Sequence, residues 1–313
     1  MAYLAFYNGA SLCYFISLMK TALIVNPVSG RRKSLRVLPK LIDWAQKRNI
    51  EYRLYTTSRP GEATRLARLA MFDGVERIVV VGGDGTINEV GQATVGSKVV
   101  TGILPAGSGN DLFRMLGKKI SLQESFRIAF EGAGRDIDVG TANGRLFFNA
   151  VGMGFDAYVA ARASEYRRLS GASVYLAAVF HVWRRFTPLK LEIELDSTKV
   201  NQEVTLVCVG NGRSTGGGFY LTPQALLDDS LFDICIIDGV SKAKIFNYLP
   251  RTIKGTHVRL PGVRVYRSKR VVVRSSDKFP VHIDGEIVNP YPEKLEIVLE
   301  KRKFKLAMPE KIP

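Results

Sequence analysis

Val79-Val80-Val81-Gly82-Gly83-Asp84-Gly85-Thr86-Ile87-Asn88-Glu89-Val90 decides the fold of this chain. Three apolar β-formers run into a turn holding three glycines, and a helix is expected at once, with Thr86 as its cap. Without side chains at Gly82, Gly83 and Gly85, backbone N–H groups can approach an anion closely. The helix start adds free N–H groups and a partial positive charge. The stretch therefore reads as a phosphate cradle. Asp84 inside it would repel bare phosphate, so a cation is expected between them. For any single glycine-rich turn, an ordinary strand–turn–helix connection is the competing reading.

Outward from this turn, strand and helix alternate. An apolar strand at residues 21–25 ends in Asn26-Pro27-Val28-Ser29-Gly30 and leads into a basic amphipathic stretch reaching Arg48. A second strand is expected at 51–56, a helix at 60–72, a third strand at 77–81 and a fourth at 99–104. The fourth breaks at Pro105-Ala106-Gly107-Ser108-Gly109-Asn110-Asp111. Strands separated by helices imply an α/β, doubly wound parallel sheet covered on both faces. Ligands bind such sheets at the carboxyl ends of the strands, where the polar turns after strands one, three and four converge.

Near Asp136 the texture changes. Residues 189–195, 203–210, 231–237, 263–273, 281–288 and 295–305 read as strands joined largely without helices, so a mostly antiparallel β-sandwich is expected. One or two helices interrupt it at 157–186. A boundary near Asp138 gives a nucleotide-binding domain at 19–138 and a β-rich substrate domain at 139–298, with the active site in the cleft between them. A tail at 299–309 is expected to pack back on the first domain.

Composition bounds the partners. The chain has 313 residues, is 46% hydrophobic and carries a net charge of +16, so it buries a large core and favours anionic partners. Cys13, Cys208 and Cys235 lack CxxC spacing, which argues against a zinc site or a disulfide framework. Cys208 and Cys235 read as buried inert thiols, and a reducing cytoplasmic location follows. Residues 1–18 carry no charge and are short for a membrane span, which takes about 20 apolar residues. Translation is expected to begin at Met19, leaving 1–18 as a mis-assigned or floppy extension, which intact mass would test.

Three elements now stand in order: Asn26 to Gly30, Gly82 to Glu89, and Leu104-Pro105-Ala106-Gly107-Ser108-Gly109-Asn110-Asp111. In this spacing the chain resembles the diacylglycerol kinase / sphingosine kinase catalytic family, most closely its bacterial soluble lipid kinases. The central turn is also similar to NAD kinases and phosphofructokinases, whereas the Leu104–Asp111 segment makes the match specific. The resemblance implies a phosphofructokinase-like first domain with ATP in the interdomain cleft. Asn26, Gly30 and Thr57 would line the nucleotide. Gly82, Gly83, Asp84, Gly85 and Thr86 would cradle its phosphates, followed by Asn88 and Glu89, with Ser108 nearby. Asn110 and Asp111 would organise the turn or the metal. It further implies a magnesium loop in which Asp229 and the carbonyls of Leu226 and Leu231 hold Mg2+; oxygen-only ligation suits that ion. Ser230 stands there where glycine is common.

Ile283-Asp284-Gly285-Glu286 matches the family's Asp-Gly-Glu, so Glu286 would be the base on the lipid hydroxyl. Read locally it is only a hairpin turn. Asp84 and Asp138 are the other catalytic candidates. By the same resemblance, Asp156 in Gly152-Met153-Gly154-Phe155-Asp156-Ala157 would lie beside the lipid pocket; as a dinucleotide fingerprint that segment fails, having no following βαβ unit. His181, His257 and His282 lack ligand spacing and read as structural or surface residues.

Residues 239–276 hold ten Lys or Arg, no acidic residue, and interleaved Phe246, Tyr248, Leu249, Leu260 and Tyr266. A solvated face is the plain account. An anionic membrane surface is the sharper one, at roughly 1 kcal/mol per basic residue. With Arg167, Arg168, Arg184 and Arg185 this segment is expected to face the inner side of the membrane, making the protein cytoplasmic and peripherally associated. No nucleic-acid partner is expected, because no recognition motif is present. A homodimer stays open. The expected activity is transfer of the ATP γ-phosphate to a diacylglycerol-like lipid alcohol. Two rivals remain: an NAD-kinase-like enzyme with a soluble substrate, and a non-catalytic protein of this fold that binds anionic membrane or nucleic acid.

Overall fold

The structure is a computed structural model that describes residues 20–117, 119–166 and 172–310. The 1–18 extension, Met19, Cys13, Arg167 and Arg168 lie outside the described residues.

The first half runs β1 (Thr21–Val25), α1 (Ser29–Gln46), β2 (Arg53–Thr56), α2 (Glu62–Phe72), β3 (Arg77–Gly82) and α3 (Asp84–Thr94). It continues with β4 (Val100–Pro105), α4 (Asp111–Arg114), α5 (Leu122–Glu131) and β5 (Ala133–Ile137). The second half opens with β6 (Gly140–Ala142), β7 (Arg145–Phe147), β8 (Ala150–Gly154), α6 (Phe155–Glu165) and α7 (Ala172–Arg185). Then come β9 (Leu189–Leu195), β10 (Lys199–Gly210), β11 (Phe232–Asp238), α8 (Lys242–Lys254), β12 (Val263–Ser268) and β13 (Arg270–Arg274). The last strands are β14 (Val281–Ile283), β15 (Glu286–Ile287), β16 (Lys294–Leu299) and β17 (Phe304–Met308).

The first sheet has the order β2-β1-β3-β4-β17-β5, parallel except for β5. Its central strands are largely apolar because both faces are covered, with Thr101 of β4 a buried exception. Leu23, Val25, Val79, Val81 and Leu104 pack with Leu41 and Trp44 of α1 and Phe126 and Phe130 of α5. The alternate residues Ala22, Ile24, Ile78, Val80 and Ile103 pack with Leu66 of α2 and Ile87 and Val90 of α3. That period-2 division covers both faces, and the parallel pairing of β1, β3 and β4 puts their carboxyl ends on one edge. Backbone bonds stitch this edge: Asn26 donates to Val81 O at 3.0 Å and Ala106 to Gly82 O at 2.9 Å.

The second half is antiparallel, as expected, but among the described residues its eleven strands form one connected, curled sheet. The cause is β10. Its first half pairs with β9, and after an irregularity between Val204 and Leu206 its second half lies between β8 and β11. The curl encloses a core that includes Phe147, Leu191, Val207, Phe232 and Val271.

Five expectations on local structure change, the first being residues 281–288, which fold back as the hairpin of β14 and β15 and are not one strand. Residues 295–305 are two strands in different sheets. The carboxylate of Glu300 accepts from Lys301 N at 2.9 Å and breaks the run, after which β17 crosses to pair with β4 and β5. Residues 263–273 split at Lys269, whose N–H goes to Asp196 Oδ2 at 2.6 Å. A helix, α8, stands inside the basic segment; Ile245, Tyr248 and Thr252 are its buried face and Gly255, left-handed at φ 67°, ends it. Finally, α3 begins at Asp84 with Gly83 at its cap, so Thr86 is not the cap; its hydroxyl accepts from Asn26 Nδ2 at 3.0 Å.

Candidate active site

Three turns meet at the sheet edge through their glycines. After β1, Gly30, Arg31 and Arg32 are all left-handed (φ 53°, 56° and 67°). A Cβ on Gly30 would run into the Ala106 carbonyl. The Asn26 side chain clasps the turn, its Oδ1 accepting from Val28 N at 3.2 Å. Gly83 and Gly107 lie back to back: a Cβ on Gly83 would sit 2.9 Å from Gly107 Cα. Asn110, at φ 54°, closes its own turn by accepting from Gly107 N at 2.8 Å and donating to Gly107 O at 2.9 Å.

Asp84 holds this arrangement together rather than pointing into open space. Its Oδ2 accepts from Asn110 N at 2.7 Å and its Oδ1 from Asp111 N at 2.9 Å, which satisfies orphan donors at the start of α4. Asp111 carries the chain of contacts into the second half, accepting from Ser214 Oγ at 3.0 Å and Gly217 N at 2.9 Å. Burial, then the Asp111 carboxylate beside it, pushes Asp84 up to about 6, against the pull of the two amide donors.

A pH dependence follows. A carboxyl raised from 3.8 to about 6 contributes stability below its ordinary value that is lost as pH rises through about 6. The ionised form, however, is the better acceptor for the two amides. Affinity for the nucleotide that the resemblance implies is therefore expected to fall as pH drops through about 6, by at most about tenfold per unit, and Asp84→Asn should remove that slope. Titration of ATP binding between pH 5 and 8 checks it, since the ligand's own protonation is common to both proteins. Identical slopes would refute this role of Asp84.

Across from the glycine turns stands the hairpin of β14 and β15. Asp284, at φ 49°, accepts from Phe148 N at 2.9 Å, Asn149 N at 2.9 Å, Ala150 N at 3.0 Å and Asn88 Nδ2 at 3.0 Å. Burial raises its pKa and these donors oppose the rise. The local reading as a hairpin turn holds, and the turn also fastens the two halves through Asn88. Glu286 follows with its side chain half exposed at the cleft and ion-paired to Arg145. The nearest atom to a Cβ on Gly85 would be Glu286 Oε1, at 3.0 Å.

These groups surround a cavity of about 440 Å³, within the usual range for ligand sites. Of the candidate residues, Asn26, Gly30, Thr57, Gly83, Gly85, Thr86, Glu89, Ser108 and Glu286 line it. Gly82, Asp84, Asn88 and Asn110 do not; they brace the turns from behind. Glu89 has a structural task as well, accepting from Gly61 N at 2.8 Å and Ala63 N at 3.0 Å to cap α2. Asp138 is fully buried, ion-paired to Lys303 and accepting from Ser230 N at 2.7 Å, away from the cavity lining. Asp229 accepts from Leu231 N at 3.2 Å and is ion-paired to Arg267; Ser230 takes the left-handed bend at φ 61°, and Leu226 is exposed. Nothing in the sequence signalled Arg145, Asp284 as an anchor, or Arg59, which also lines the cavity.

Behind the hairpin lies a narrow apolar pocket between the sheet, α6 and α8. Phe155, Leu206, Phe219, Ile237, Ile245 and Leu249 line it, with Asp156 as its one carboxylate. Cys208 and Cys235 pair across β10 and β11, fully buried, and burial pushes both thiols up, Cys235 to about 12.

Known proteins match in the same order. The diacylglycerol kinase catalytic domain family matches residues 20–142, and the YegS C-terminal NAD kinase beta sandwich-like domain matches residues 149–301. A diacylglycerol kinase of Mycobacterium tuberculosis (strain H37Rv) is 30% identical over 286 residues, covering 89% of this chain and 92% of its own. One from Bacillus subtilis (strain 168) is 29% identical over 302 residues, covering 93% and 97%. A solved structure from Bacillus anthracis (strain Sterne) shares the fold, with a TM-score of 0.76 at 24% identity over 94% of this chain and 99% of that one. Matched through both halves, and along nearly the whole length of its relatives, the chain belongs to the diacylglycerol kinase family.

Proposed function

We propose that this protein is an ATP-dependent lipid kinase that transfers the γ-phosphate of ATP to the hydroxyl of a diacylglycerol-like or related lipid alcohol. The observation that carries the reading is the apposition, across one cavity, of three glycine-bearing turns and the Glu286 carboxylate, the other lining carboxylate, Glu89, being engaged in capping α2. Asn26, Gly30, Thr57 and Ser108 line the nucleotide in this reading, and the Gly83–Thr86 turn with the start of α3 receives its phosphates. Phosphoryl transfer asks mainly for positioning and charge stabilisation. The lipid oxygen bonds to the γ-phosphorus, the bond to the bridging oxygen of ADP breaks, and Glu286 takes the hydroxyl proton. The lipid is read as entering along the lining of the apolar pocket, whose volume of about 50 Å³ takes only the end of an acyl chain, with Asp156 in its wall.

Magnesium, when bound with the triphosphate, would supply neutralisation of its charge. The loop at Asp229 fits a structural ion of the same kind. Its donors are all oxygen, Ser230 keeps the bend that glycine would give, and the buried Asp233 Oδ2 beside it has no hydrogen-bond partner. The nearest cation to that oxygen, Arg267 at 4.0 Å, also pairs with Asp229 and would have to give way to the ion.

Among the described residues, no helix is long and apolar enough to cross a membrane. Docking on an anionic bilayer is supported by the ridge of α7 and α8. There Phe180, Trp183 and Phe246 stack at 5.7 and 4.7 Å beside Arg184, Arg185, Lys242 and Lys244. Phe180 and Ile253 are each 53% exposed, as suits side chains that dip into an interface. One experiment tests both statements: labelled γ-phosphate offered with a total lipid extract in vesicles, followed by flotation. Label is expected in the lipid phase, with binding that weakens several-fold on neutral vesicles or in Lys242→Glu/Lys244→Glu. Label in an aqueous product would favour the NAD-kinase-like rival; no product at all would favour the non-catalytic one.

A further inference from the structure

Asp156 and His282 form a buried pair that joins the apolar pocket to the hairpin bearing Glu286. His282 lies in β14 opposite Gly152 of β8, and Asp156 is in the first turn of α6. Their side chains are 3% and 7% exposed, with His282 Nε2 3.1 Å from Asp156 Oδ2. The second ring nitrogen is occupied too: Gly285 N–H reaches His282 Nδ1 at 3.3 Å. An amide can only donate, so Nδ1 accepts and the ring proton sits on Nε2, directed at Asp156. The other carboxylate oxygen of Asp156 accepts from Ala157 N at 2.8 Å. Gly152 makes room for the pair, since a Cβ there would run into both Asp156 Oδ2 and His282 Nε2.

We infer that His282 is a positioning residue for the acceptor alcohol, fixing Asp156 in the wall of the apolar pocket while bracing the turn that presents Glu286. The inference rests on the lipid-kinase reading for the identity of the alcohol. One imidazole thus sets the spacing between the group that meets the lipid head and the group that takes its proton. Neither Asp156 nor His282 lines the nucleotide cavity, so the effect belongs to the lipid and not to ATP.

The test uses dioctanoylglycerol in micelles and ATP, with steady-state kinetics and equilibrium binding of dioctanoylglycerol measured side by side. His282→Ala is expected to lower kcat/KM for dioctanoylglycerol by about 10- to 100-fold, with KM for ATP changed by less than about twofold. His282→Gln restores an N–H near the Nε2 position and is expected to recover to within about threefold of wild type. A purely structural role would instead raise both KM values together and give no rescue by Gln; that result, or an unchanged His282→Ala, overturns the inference. If wild type phosphorylates no lipid, the kinase reading fails, and binding decides the inference alone. Binding weakened by Ala and restored by Gln supports it, and equal binding by all three proteins overturns it.

Discussion

Glu286→Gln is expected to lower kcat for phosphoryl transfer by about 10²–10⁴-fold while KM for ATP stays within about twofold. That range corresponds to about 3–5 kcal/mol of transition-state stabilisation, a normal share for a positioned proton acceptor. The substitution keeps size and removes the charge. The fold should not register it, because the hairpin is anchored by Asp284 and its four donors, not by Glu286. Its side chain is 53% exposed and held by Arg145, so a stability change is expected to stay under about 1 kcal/mol. Burst and steady-state kinetics with matched thermal melts check both halves of the expectation. A kcat within threefold of wild type would remove Glu286 from the chemistry.

Much of this site could be read from the sequence because its strands are buried on both faces. The continuous runs at β1, β3 and β4, each followed by a polar, glycine-bearing turn, announce a parallel sheet and the edge where a ligand sits. Periodicity could not show what the long-range polar contacts do. Asp284 and Gly285 signal a hairpin locally, but the amides of residues 148–150 that hold Asp284 lie more than 130 positions away. Arg145 reaches Glu286 across 141 positions, with no local pattern to mark it. Glu89 sits next to the glycine turn, yet its carboxylate caps a different helix. α8 was hidden because lysines and arginines flood its exposed face and obscure the 3–4 spacing of Ile245, Tyr248 and Thr252. The single curled sheet turns on the length of β10, whose two halves choose different neighbours.

Gly107→Ala is expected to weaken ATP binding by about 10- to 100-fold while Gly85→Ala leaves it nearly intact, although both positions belong to glycine-rich turns of one cavity. The difference is in what a methyl group would meet. On Gly107 it falls inside contact distance of Gly83 Cα, with Gly83 N at 3.3 Å and Asn110 Oδ1 at 3.1 Å. Backbone cannot step aside as a side chain does, so the turns after β3 and β4 must separate. Overpacking of this kind costs typically about 1–3 kcal/mol, which here is drawn from the bound state that needs both turns in place. On Gly85 the methyl meets only Glu286 Oε1, at 3.0 Å, the far end of a flexible side chain. Its cost should therefore appear chiefly in kcat, through a displaced Glu286, with a smaller loss of affinity where the methyl faces the phosphates. Isothermal titration with a non-hydrolysable ATP analogue, set beside single-turnover rates, separates the two effects. Equal losses of affinity in both variants would mean that the contact between the two turns does not build the nucleotide site.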